Sequence, residues 1–232
     1  MPRDVLGFQS VLFDMDGTLV DTEPLWQSAE REIMSGYGVA WTKADEAHCL
    51  GGSTDRVCRY MADLVTAAGR RPPTPEHLAD MFLDIMLGQL LTHPPEPQPG
   101  VADLLREVRE TGLPTALVSS SSRPLMSAVL AAIGSEWFDV TISADDVERH
   151  KPDPLPYQQA CTELGVDPAW SLAIEDSPTG AASASSAGAY VVAVQHLAAI
   201  ESGPRCTVVD TLSGIGVAEL AAMFTPPSGP SG

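Results

Sequence analysis

Two aspartates, Asp14 and Asp16, flank Met15 at the end of an apolar run in SVLFDMDGTLVDTEPLW, Ser10 to Trp26. Acids beside a buried run cost free energy unless a partner, a cation or a reaction retains them. Three further segments end in a similar way. One apolar run closes on Ser119, another on Glu175 and Asp176 within IEDSPTG, and a third is followed by DDVERHKPDP, which holds Lys151. Carboxylates gathered at one place cannot all stay ionised without positive charge. Asp14, Asp176 and Glu175 offer hard oxygen ligands of the kind that suit Mg²⁺ with several retained waters. A divalent ion would also hold a phosphate group against an acidic protein, and Lys151 adds a second positive charge. Lys43 is the only other lysine in the chain, so an ammonium at 151 stands out among arginines. Taken singly, each motif has a plainer reading. Asp-x-Asp suits a turn, EDSPTG an acidic helix start capped by Asp176 or Ser177, Ser119 to Ser122 a polar loop, and HKPDP a proline-broken loop. Their joint occurrence at successive strand ends favours one site.

The elements that must position these groups read as an α/β pattern, with short apolar runs alternating with stretches of helical period. Strands are predicted at Ser10–Phe13, Thr115–Ser119, Val140–Ser143, Ser171–Ile174 and Tyr190–Val194, with a weaker one at Cys206–Val209. Their near-continuous hydrophobicity is that of parallel strands covered on both faces. In such a sheet ligands bind outside the carboxyl ends of the strands, which is where the candidate groups fall. One segment breaks the alternation. Leu25, Ala29, Ile33 and Tyr37 form one helical face, Val57, Met61, Leu64, Val65 and Ala68 a second, and Leu78, Met81, Phe82, Ile85 and Met86 a third. The proline-rich links RRPPTP and HPPEPQPG punctuate this region. We expect a discontinuous α/β core over residues 1–20 and 95–225, an inserted all-helical cap over 21–94, and a low-complexity, disordered tail over 226–232.

A chain of 232 residues buries a sizeable core as one domain with a small insert. The formal charge of −18 works against nucleic acid and anionic membrane surfaces, and it demands local positive charge wherever an anion binds. No apolar run approaches the length of a membrane span, and Met1 to Ser10 lacks the apolar stretch of a signal peptide. Cys49, Cys58, Cys161 and Cys206 show no metal or disulfide spacing, which suggests reduced thiols and a cytoplasmic location. The expected partner is a small-molecule phosphate ester, with neither nucleic acid nor membrane, and the chain is expected to be a monomer.

The segments DMDGTLVDTEP, LVSSSS, KPDP and IEDSPTG resemble, in order, the four motifs of the haloacid dehalogenase superfamily. The resemblance spans Val11 to about Val194, and the helical insert falls where that family carries its mobile cap. It implies a Rossmann-like core with a parallel sheet and a Mg²⁺-dependent aspartyl-phosphate mechanism. On these motifs Asp14 would be the nucleophile. Asp16 would protonate the leaving oxygen and then activate water, and its backbone carbonyl would join Asp14, Asp176 and Glu175 on the metal. Ser119, the backbone N–H of Ser120, and Lys151 would hold the transferring phosphate oxygens, with Gly17 permitting the tight turn nearby.

The acid at position 16 points to phosphoester chemistry within that superfamily. DTEPLW resembles the start of the cap in hexitol and 2-deoxyglucose-6-phosphate phosphatases, so a sugar or polyol phosphate is the expected substrate. Trp26, Glu23 and Gly52 of the cap are candidate substrate contacts. The closest rival is a β-phosphoglucomutase-like enzyme. Its cap histidine and arginine correspond here to Trp26 and Thr54, which argues against a second phosphate held by the cap. A phospho-acceptor signalling domain shares the acidic pocket, but it is much shorter and carries its phosphorylated aspartate on the third strand.

Overall fold

The computed structural model describes residues 6–49, 54–195 and 199–227. Six strands form one parallel sheet: β1 (Ser10–Phe13), β2 (Thr115–Val118), β3 (Val140–Ile142), β4 (Ser171–Glu175), β5 (Tyr190–Val194) and β6 (Cys206–Val209), in the order β3-β2-β1-β4-β5-β6. The chain winds outward from β1 to β3, then returns to the other side of β1 to lay down β4. That reversal opens a crevice at the carboxyl ends of β1 and β4, where doubly wound sheets bind ligands.

Register makes the strand ends level. Phe13 pairs with Leu117 on one side and with Ile174 on the other. The Asp14 backbone N–H prolongs the ladder by donating to the Ile174 carbonyl at 3.0 Å. Residues following β1, β2 and β4 therefore emerge side by side. The inner strands β1, β2, β4 and β5 are buried on both faces, as their uninterrupted apolar runs require, while the edge strands β3 and β6 are partly exposed. Val11 and Phe13 face one core cluster with Leu104, Val108 and Val129, while Leu12 faces a second with Tyr157, Ala160, Cys161 and Ala184.

Between β1 and β2 the chain forms an inserted all-helical cap of α1 (Glu23–Gly36), α2 (Lys43–Cys49), α3 (Thr54–Ala67) and α4 (Pro75–Thr92). The core helices follow as α5 (Val101–Thr111), α6 (Arg123–Ile133), α7 (Leu155–Leu164), α8 (Pro178–Ala187) and α9 (Val217–Met223). The two connections to the cap run together. Val20 bridges Pro97 in antiparallel fashion, and Gln98 donates its backbone N–H to the Leu19 carbonyl at 2.7 Å.

Some predicted boundaries move. Strands β2 and β3 stop one residue early. Ser119 turns into the site, and Ser143 caps the 3-10 turn Ala144–Asp146 with a reciprocal Asp146 bond. Strand β4 runs one residue further, so Glu175 belongs to the sheet. Helix α2 carries no apolar stripe and escapes a search for periodicity. Helix α4 extends past Met86 because buried Leu90 adds another turn to its core face. Among the described residues no helix is long and apolar enough to cross a membrane. Gly51 and Gly52, and the expected disordered tail from 228 onward, lie outside the described residues.

Candidate active site

Asp14 is buried at the mouth of the β1–β4 crevice, and the Lys151 ammonium donates to its Oδ1 at 2.7 Å. The same ammonium donates to the Val118 carbonyl at 2.9 Å and to Glu175 Oε1 at 2.6 Å. Lys151 thus ties the ends of β1, β2 and β4 together, with only 4% of its side chain exposed. A compact ammonium with three donors meets three acceptors here, which a planar guanidinium would not do as well.

Glu175 is fully buried and heavily engaged. Its Oε1 also accepts from the Tyr157 hydroxyl at 2.7 Å. Its Oε2 accepts from the backbone N–H of Asp176 and from the N–H and hydroxyl of Ser177. Ser177 in turn caps α8 by accepting from the Gly180 N–H at 3.0 Å. A Cβ at Gly180 would collide with the Glu175 carboxylate, so this position closes the backbone onto the acid. Glu175 therefore anchors Lys151 and the start of α8 together.

The acids repel one another. Burial, then Glu175 and Asp16, push the Asp14 carboxyl up to about 7 against the pull of Lys151. Burial, then Asp14 and Glu175, push Asp176 up to about 9, with Thr18 donating to its Oδ1. Burial works against the Lys151 charge, but Asp14 and Glu175 outweigh it and hold the ammonium above its ordinary value. One carboxylate oxygen each from Asp14, Glu175 and Asp176 lies within 4.8 Å of the other two. A buried acid cluster whose members are driven toward neutrality despite a paired lysine fits a hard divalent cation. Gly17, at φ 85°, brings the turn so close that a Cβ would strike Asp176.

Asp16 faces elsewhere. Thr22 donates to its Oδ1 at 2.7 Å, and the hydroxyls of Ser119 and Ser121 donate to Oδ2 at 3.1 and 2.8 Å. Its carboxylate stands apart from the acid cluster, so any part it plays at a metal would fall to its backbone carbonyl. Ser119 is buried, and it also accepts from the Ser121 N–H at 2.9 Å. Its hydroxyl braces Asp16 from behind the cavity wall, while Ser120 and Ser121 stand on that wall.

All of this opens into a cavity of about 560 Å³. Its core side carries Asp14, Asp16, Ser120, Lys151 and Asp176, and its cap side Glu23, Trp26, Glu30, Cys49, Arg56 and Phe82. Glu23 and Trp26 reach the wall as expected, Trp26 leaning on Phe82 with ring centroids 5.7 Å apart. Thr54 is there as well, but so is Arg56, two residues on. The cap therefore does offer a cation, which the sequence comparison at Thr54 missed. Reasoning from sequence also missed Thr22, Ser121 and Tyr157. Thr22 and Ser121 lie inside the quoted motifs, whereas Tyr157 sits on a core helix with no spacing to mark it.

The sequence profile described as haloacid dehalogenase-like hydrolase matches residues 11–194. Hexitol phosphatase B of Escherichia coli K12 is 31% identical over 214 residues, which cover 90% of this chain and 91% of that protein. Protein CbbY of Cereibacter sphaeroides is 31% identical over 196 residues, covering 78% and 81%. The crystal structure of CbbY from Rhodobacter sphaeroides in complex with phosphate superposes with a TM-score of 0.78 at 27% identity, covering 92% of this chain and 99% of that one.

Proposed function

The chain belongs to the haloacid dehalogenase-like hydrolases and is a phosphoric monoester hydrolase, and from that premise we propose that it hydrolyses a small sugar or polyol phosphate with Mg²⁺ through a phosphoenzyme on Asp14. The observation that carries this reading is the division of labour between two neighbouring carboxylates. Asp14 lies on Lys151 and the acid cluster, while Asp16 is turned onto three hydroxyls in the same cavity.

In this mechanism an Asp14 carboxylate oxygen attacks phosphorus, the bond to the leaving oxygen breaks, and Asp16 delivers its proton to that oxygen. Water then attacks the phosphoryl group on Asp14 while Asp16 takes up a proton, releasing inorganic phosphate and the free carboxylate. Thr22, Ser119 and Ser121 fix the Asp16 carboxylate for both transfers. Lys151 and the backbone N–H of Ser120 balance charge on the phosphoryl oxygens. Asp14, Asp176, Glu175 and the Asp16 carbonyl would hold Mg²⁺, which when bound supplies charge neutralisation for the phosphoryl group. The cap, taken as residues 21–94 hinged where Val20 meets Pro97, would exclude bulk water on closing. Four free thiols fit the reducing cytoplasm proposed for the chain.

Hydrolysis of an aryl phosphate and of a panel of sugar and polyol phosphates, with Mg²⁺ and after exhaustive chelation, tests the reading. Turnover that survives chelation undiminished would count against it. The rival mutase reading is favoured by Arg56, which puts a cation on the cap wall while its guanidinium also donates to the His48 and Cys49 carbonyls. Interconversion of isomeric hexose phosphates, stimulated by a bisphosphate and outpacing phosphate release, would establish that rival.

A further inference from the structure

Resting on the phosphatase reading, we propose that Glu30 is a specificity-determining residue: it exchanges a hydrogen bond with a hydroxyl of a neutral, polyhydroxylated leaving group and disfavours leaving groups carrying a second anionic charge. The core wall is taken up with the phosphoryl group, its nucleophile and its counter-charges, so the rest of the substrate must extend toward the cap. There the polar groups are few. Glu23, Trp26 and Glu30 recur at helical spacing on α1 and form one stripe along the cavity.

Glu30 is 5% exposed, an unusual place for a carboxyl on a helix face. Trp41 Nε1 donates to its Oε2 at 3.2 Å, which fixes the group without neutralising it. Burial and Glu23, with Glu46 of α2 adding to them, push its carboxyl up to about 7 against Trp41 and Arg31. Near neutral pH it is therefore present both as a donor and as an acceptor, and either form pairs with a hydroxyl. An anionic leaving group meets a different balance. The Arg56 guanidinium donates to the carbonyls of His48 at 2.9 Å and Cys49 at 3.4 Å, at the carboxyl end of α2. That geometry suits a helix-end contact and directs the cation toward backbone oxygens. Two acids against one so engaged arginine favour a neutral guest. Acid and hydroxyl also discriminate, because a substrate lacking the hydroxyl leaves the buried carboxyl one hydrogen bond short.

The test compares wild type with Glu30→Gln, which retains an acceptor for Trp41, at saturating Mg²⁺. The readout is the ratio of kcat/KM for the best sugar or polyol phosphate of a panel to that for an aryl phosphate, with the same ratio for a sugar bisphosphate. Ratios within one preparation cancel any inactive fraction. Glu30→Gln should lower the first ratio a few-fold, chiefly through KM, because a neutral amide pairs more weakly with a hydroxyl than a carboxylate does, and should raise the second. Glu30→Asp, which retains the charge on a shorter arm, should lower the first ratio by less and leave discrimination against the bisphosphate in place. It also serves if the glutamine variant does not fold. Unmoved ratios in wild type and variants, or a panel in which no sugar or polyol phosphate surpasses the aryl phosphate, overturn the assignment of Glu30. Absence of Mg²⁺-dependent aryl phosphate hydrolysis by the wild type overturns the phosphatase reading and this inference with it.

Discussion

On the core side of the cavity Asp14, Asp16, Ser120 and Asp176 stand just beyond the ends of strands whose neighbours fix them in register, and Lys151 reaches them from the loop after β3. On the cap side the groups come from the faces of α1 and α3 and the end of α2. The first arrangement is rigid, because Asp14 is held by the Phe13 pairings and by the Ile174 carbonyl, and Lys151 by three acceptors. The second is attached through two antiparallel strands of chain at Val20 and Pro97. Chemistry common to all substrates belongs on the rigid wall, and selection belongs on the attached one. Substitutions on the core wall should therefore depress every substrate alike, except at Asp16, where the loss follows how much the leaving group needs a proton, while those on the cap wall should alter ratios between substrates of one leaving-group class.

The sharpest test on the core wall is Asp14→Asn, which removes the anionic nucleophile and keeps the shape. Turnover should fall by on the order of 10⁴-fold or more for aryl and sugar phosphates together. Rapid quench with a radiolabelled substrate should find no acid-stable label on the protein. Label that persists in the variant would move the nucleophile elsewhere and break the comparison at its centre.

Next in size is Asp16→Ala. General acid–base help contributes about 10²–10⁴-fold, and the loss should be larger for an alkyl leaving group than for a nitrophenolate that needs no proton. Pre-steady-state phosphoenzyme formation that is unimpaired for every leaving group, with breakdown slowed, would assign Asp16 to water activation alone.

How far these walls were legible in the sequence follows from the same contrast. Ser10–Phe13 reads as a strand because both faces are buried and every residue must be apolar or paired. The acids that end it are then conspicuous. Asp14, Asp16, Lys151 and Asp176 all reach the crevice expected of them. Ser119 is also at its strand end, yet the sequence cannot show that its hydroxyl is donated to Asp16. The spacing of Glu175 beside Asp176 suggests a metal ligand. It does not reveal the bonds to Lys151, Tyr157 and Ser177 that make it a brace, since Tyr157 sits on α7 with no spacing that ties it to the end of β4. On the cap, Leu25, Ala29, Ile33 and Tyr37 mark the packed face of α1, and Glu23, Trp26 and Glu30 pass for its polar face. Only the fold reveals that the second face is covered too. Arg56 escaped because it stands two residues past Thr54, and the sequence alone does not fix which residues of the first turn of α3 face the cavity.

A third prediction concerns the charge balance of the core wall. Asp14 titrates near 7 and Asp176 near 9 when folded, against 3.8 for an ordinary aspartate. Between those limits the folded state holds more protons than the unfolded one, so stability falls as pH rises. The stabilisation is fully present below about pH 4 and is lost progressively as pH climbs through 7 and 9. The Tm of chelated protein should decline over that window once other groups are matched by an Asp14→Asn, Asp176→Asn control. Added Mg²⁺ should flatten the slope and raise Tm most at high pH, because it binds the ionised acids. A slope identical in the control would show that the cluster does not titrate as a unit, and that the core wall needs no cation to hold its charge.

The smallest effect, and the one that most directly probes the cap wall, is expected at Trp26. Its ring leans on Phe82 at 47° and lines the cavity, so it serves packing and substrate contact together. Trp26→Phe keeps an aromatic face against Phe82 and shortens the reach into the cavity, whereas Trp26→Ala removes both. An aromatic contact of this kind is worth about 0.5–1.5 kcal/mol, so kcat/KM for a sugar phosphate should fall a few-fold to about tenfold in the alanine variant. The loss should be smaller in the phenylalanine variant, and KM should carry most of it in both. Thermal stability separates the two roles, because a packing defect lowers Tm and depresses all substrates equally. If Trp26→Ala lowers aryl and sugar phosphate turnover by the same factor together with Tm, the ring only holds α1 against α4. If the sugar-to-aryl ratio falls while the phenylalanine variant restores Tm, the ring is a substrate contact, and the cap wall selects by surface as well as by the Glu30 carboxyl.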